Sequence, residues 1–87
     1  MPYIKQQQRE KWEESIKDVV KILKNINSDK LEGEINYFIT SILLKTYKQS
    51  YFEYNRAIGV LECIKQELYR KQVASYEDEK IKENGEV

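Results

Sequence analysis

The sequence predicts an all-α protein: three helices in an up-down-up bundle, with a short fourth helix at the C-terminus. Three observations carry this. Apolar residues recur at spacings of three and four along most of the chain, which is the period of one helix face. The only proline is Pro2, so nothing breaks a helix once the chain is under way. Finally, 87 residues that are 40% hydrophobic supply one small core and not two, which makes residues 1–87 a single helical domain.

Residues 1–6 read as an extended lead-in, because Pro2 fixes its own backbone and disfavours helix in its predecessor. A helix is predicted over about 7–26. Trp12, Ile16, Val19, Leu23 and Ile26 form its stripe, widened by Val20, with Glu13, Glu14, Lys17, Asp18, Lys21 and Lys24 opposite. The Glu13–Lys17 pair supports the helix slightly and Glu14–Asp18 opposes it. Turn formers in NINSDKLEGE, Asn25 to Glu34, mark a connection.

A second helix is predicted over about 34–48. Ile35, Phe38, Ile39, Ile42 and Leu43 make one stripe, yet Tyr37, Leu44 and Tyr47 lie well off it. A helix apolar around most of its circumference needs cover on more than one side. In a chain this short, that cover points to another subunit.

The third helix, about 51–72, opens with Ser50 and Glu53 spaced for a capping box, the serine oxygen accepting from the Glu53 N–H and the glutamate reaching back. Tyr54, Ala57, Ile58, Leu61, Ile64 and Leu68 share a broad face that reads as core. Phe52, Arg56, Gly59, Cys63 and Arg70 share the other, flanked by Asn55 and Gln66, with Glu62 further round. Gly59 costs about 1 kcal/mol against alanine in a helix interior, and close approach of another backbone or a ligand would offset it. A fourth helix is predicted over about 76–84. Ser75 is its N-cap, Glu77, Asp78 and Glu79 fill the first turn, and Gly85 lies just past its end.

Composition limits the chemistry. Lys+Arg and Asp+Glu stand at 15 each, so no net field draws the chain to long nucleic acids or to anionic membranes. There is no histidine, the commonest general base and metal ligand, and one cysteine forms neither an internal disulfide nor a CxxC zinc site. No apolar run approaches the ~20 residues of a membrane span, and the N-terminus turns charged too soon for a secretory signal. The expectation is a cytoplasmic protein without a cofactor, and Cys63 reads as a buried, inert thiol.

NYFIT in the second helix, YNRAIGVLECIKQELYR in the third and YEDEKIKENGEV at the end resemble an uncharacterised family of small helical proteins found in bacteria, archaea and phages. The resemblance implies a compact helical fold and no activity. In that family proline commonly stands where this chain has Ser75. The resemblance thus implies a less firmly held last helix here.

Three functions follow. The first is a non-enzymatic homo-oligomeric binding module, a dimer or higher, holding a small anionic or nucleotide-like ligand. Arg56 and Arg70 would grip phosphate, with Asn55, Glu62 and the tyrosines Tyr51 and Tyr69 bonding or stacking beside them. A phage-type sequestering role would fit such an oligomer. The second is a structural or protein-interaction module in which the arginines only form ion pairs with Glu62, Glu67 or the acidic tail. The third is a carboxylate enzyme pairing Glu62 with Glu34, Glu53 or Glu67 around Mg²⁺ or Mn²⁺.

Overall fold

The computed structural model describes residues 4–86, all of them helical or in short connections. The expectation for Pro2 lies outside the described residues. The chain divides between Thr46 and Tyr47 into two compact units.

The first unit holds two helices. Helix α1, Gln6–Lys24, begins where the Gln8 side-chain oxygen accepts the Lys5 N–H at 3.2 Å. It ends where the Asn25 N–H reaches the Ile22 carbonyl at 3.2 Å and the Asn25 side chain donates to Lys21 O at 3.1 Å. The asparagine satisfies carbonyls that a helix end leaves bare, and so the helix stops two residues before the predicted boundary. A 3₁₀ turn, Ser28–Lys30, then runs straight into α2, Leu31–Thr46. Helix α2 starts three residues earlier than expected, and Gly33 sits inside its first turn. The cluster of turn formers is the reason for the error. Asp29, Glu32 and Glu34 carry negative charge to the N-terminal end of a helix, where the dipole favours it. Val19, Leu23, Ile26, Leu31 and Ile35 are half-buried around this connection.

The second unit is essentially one long helix. Ser50, in extended conformation, accepts the Glu53 N–H on its hydroxyl at 3.1 Å and so caps α3, Tyr51–Leu68. Only half of the expected capping box forms, because the Glu53 carboxylate turns forward to Arg56 instead. Five residues in π-helical conformation, Tyr69–Val73, follow α3, and α4, Ala74–Asn84, continues from them. Leu68, Tyr69, Val73 and Ala74 all keep right-handed helical backbone angles, so the chain never leaves the helix. The separate fourth helix expected from the sequence is therefore the continuation of the third. Ser75 lies inside it and is not an N-cap. A capping residue ends a helix only if the preceding backbone leaves the helical region, and nothing in Arg70–Ser75 compels that. Gly85, at φ 82°, ends the helix in the left-handed region that glycine tolerates.

Ala57, 8% exposed, is the only buried residue among those described. The face expected as ordinary core exists, with Leu61 half-buried beside Ala57, but Ile58, Ile64 and Leu68 on it remain exposed. Cys63 is likewise exposed, which overturns the buried-thiol reading. It lies on the side of α3 away from Leu61. Among the described residues no helix is long and apolar enough to cross a membrane.

Candidate functional site: the long C-terminal helix

All six residues singled out in the sequence lie in the second unit, on α3 or at the π turn. The helix spaces them out and does not gather them. Arg56 and Arg70 are fourteen residues apart, about 21 Å along the axis.

Each charged group takes a partner within its own turn. Arg56 donates to the Glu53 carboxylate at 2.7 Å, and its guanidinium sits over the rings of Tyr47 (5.6 Å) and Phe52 (6.0 Å). The bond to Glu53 pushes its pKa further up from an already basic value. Two aromatic faces and a carboxylate flank the guanidinium, whose side chain remains 56% exposed. Arg70 donates to both oxygens of Glu67, at 3.0 and 3.2 Å. Glu62 accepts from Gln66 at 3.1 Å and stands 3.7 Å from Lys65. Of the carboxylates proposed for a metal, Glu53, Glu62 and Glu67 are thus engaged by a cation or amide of their own helix. Among the described residues no three carboxylate or cysteine groups converge as a metal site would require.

Tyr51 and Asn55 are exposed on the first turns of α3. Tyr69 has a more specific place. Its hydroxyl donates to the Glu77 carboxylate at 2.6 Å, across eight residues. In a plain α-helix residues eight apart point about 80° away from each other. The extra residue held by the π turn brings them nearly into line, and the bond straps that turn from outside. The same bond, with the negative charge of Glu77 behind it, raises the Tyr69 pKa above its ordinary value.

The π turn itself is the feature that sequence reasoning missed. Ala74 N–H reaches back five residues to the Tyr69 carbonyl, the bond that defines such a turn. Its signal was present: Leu68 and Val73 are five apart, a spacing that lines up only across a π turn. Leu68, Tyr69 and Val73, with Lys65 and Gln66, line an open groove of about 560 Å³ beside it.

No curated protein and no solved structure matches this chain. A family model does, over its whole length, residues 1–87, and the chain belongs to that family, described as a domain of unknown function (DUF6899).

Proposed function

We propose that this protein is a helical protein-interaction module that works as a homo-oligomer, most simply a two-fold dimer. The observation that carries this is the amount of large apolar surface left uncovered. Tyr37 is 72% exposed, Leu44 62% and Ile58 64%, with Trp12, Phe38, Ile42 and Phe52 also exposed. Large apolar side chains left exposed in this number on each unit are a reason to expect that another molecule covers them, and identical copies bring matching faces. The up-down-up bundle expected from the sequence is part of this proposal.

The engagement of the arginines ranks the interaction reading above the ligand reading. A small anion would have to displace Glu53 from Arg56 and Glu67 from Arg70, and within one chain the two cations do not converge. Native mass spectrometry and light scattering at tens of micromolar test the proposal. The expected result is a discrete oligomer, and a strict monomer would overturn it. A thermal-shift panel of nucleotides tests the ranking. A ligand at 100 times its Kd would add about 2.7 kcal/mol, and the expected result is no shift. A shift lost on Arg56→Ala would restore the ligand reading.

A further inference from the structure

The apolar stripe of the Tyr51–Asn84 helix reads the same from either end. Ile64 stands four residues before Leu68, and Val73 four after Tyr69. Leu61 stands seven before Leu68, and Tyr76 seven after Tyr69. The π turn makes this symmetry spatial. At about 100° per residue, an unbroken α-helix would set Val73 about 120° around from Leu61. The extra residue taken up by the turn sets Val73 back to about 20° and brings Tyr76 within about 40°. Along this stripe Ile64 is 54% exposed, Leu68 60% and Tyr76 60%.

We propose that this stripe packs on the same stripe of a second copy, antiparallel, with the two-fold axis passing beside Leu68 and Tyr69. This rests on the homo-oligomer reading and names the surface that builds it. Charge selects the direction. The C-terminal part carries Glu77, Asp78, Glu79, Glu83 and Glu86 against Lys80 and Lys82, five acids and two bases, a net −3. With the axis beside Leu68 and Tyr69, the segment set against it by antiparallel pairing, residues 51–60, carries Arg56 against Glu53, a net 0. Antiparallel pairing lays each acidic end along the Arg56 half of the other copy. Parallel pairing would set two acidic ends side by side, where like charges repel.

Size and shape agree with a weak but specific pair. A helix of this length spans about 50 Å, and a contact strip about 10 Å wide gives roughly 500 Å² per copy. The total, roughly 1,000 Å², sits at the lower edge of specific interfaces. The open groove of about 560 Å³ lies beside the proposed axis and offers a hole for the Leu68 side chain of the second copy, as knobs enter holes in coiled coils.

Cysteine cross-linking of the full chain tests the arrangement, in a Cys63→Ser background with helicity checked by circular dichroism. Leu68→Cys, beside the axis, is expected to oxidise to a covalent dimer. Tyr54→Cys, at the end of the rod, is expected to stay monomeric on denaturing gels, and so is the unmodified chain with Cys63. A mixture of Ile64→Cys and Val73→Cys chains is expected to form heterodimers, and this arm serves if Leu68→Cys loses its helix. Val73→Glu should weaken association at least tenfold at unchanged helicity. If the wild-type chain is only a monomer, the homo-oligomer reading falls and this arrangement with it. If it is an oligomer but Tyr54→Cys or Cys63 cross-links, or neither axis variant does, this arrangement alone is overturned.

Discussion

Gly59→Ala separates the properties of the helix from those of its surroundings. Gly59 sits in the middle of α3, exposed, with a backbone conformation that any residue adopts. A Cβ built there meets nothing within 4 Å. No side chain among the described residues would have to move. What remains is propensity: alanine in an exposed helix interior is better than glycine by about 1 kcal/mol, because less backbone entropy is lost on folding. For a domain of this length about 1 kcal/mol raises Tm by roughly 4–8 °C. The assay is thermal denaturation followed by circular dichroism, at two protein concentrations twentyfold apart. The expected result is a rise of that size at both. Gly59 lies on the side of α3 opposite Leu61, the side that faces outward in the antiparallel pair proposed above. A gain confined to the dilute sample, or a loss at either concentration, would refute the reasoning. It would mean that another copy's backbone approaches Gly59.

Three further outcomes follow from the second unit. Ser50→Ala removes the hydroxyl that accepts the Glu53 N–H at 3.1 Å and should cost about 1 kcal/mol in urea denaturation, while Ser50→Asp should keep most of it. Tyr69 holds its proton because the neutral phenol donates to Glu77, so its folded pKa lies above its ordinary value of 10.0. The stability this adds is fully present below the ordinary tyrosine pKa and is lost as pH rises through the raised one. A tyrosine absorbance titration should therefore show ionisation above the ordinary tyrosine pKa that is lost in Tyr69→Phe, and no change on that substitution would show that the strap does not form in solution. Cys63, exposed and reduced, should react stoichiometrically with a thiol reagent in the native oligomer at the rate seen in urea. Protection would place the interface on the wrong side of α3.

The helices were legible in the sequence because nothing interrupts a three-and-four period, and the spacing of Val19, Leu23 and Ile26 needs no tertiary information. Boundaries were less legible where one residue has two uses. Asp29, Glu32 and Glu34 fit either a loop or the start of a helix, and Ser75 with its acids fits either a cap or an interior turn. Serine permits the chain to continue at 75. In a homologue with proline there, the helical bonds would have to end or rearrange. The site residues show the same ambiguity. Glu67 was in view as a partner for Arg70, and it is the partner. Glu53 had been assigned to the cap, so its pairing with Arg56 was hidden. Burial of Cys63 was inferred from residue type, and type cannot say which face of a small helix finds cover.

The π turn at Tyr69–Val73 has a consequence for how this helix can vary. It separates length from rotation. Elsewhere in a helix, one added or lost residue swings everything beyond it by about 100°. Here the slack is already in place. Removing Gln72, for instance, would let the backbone close into plain α-helix and still leave Tyr76 on the side of Leu61. The acidic end would keep its bearing, and the turn acts as a joint at which the chain loses a residue without the rod being twisted.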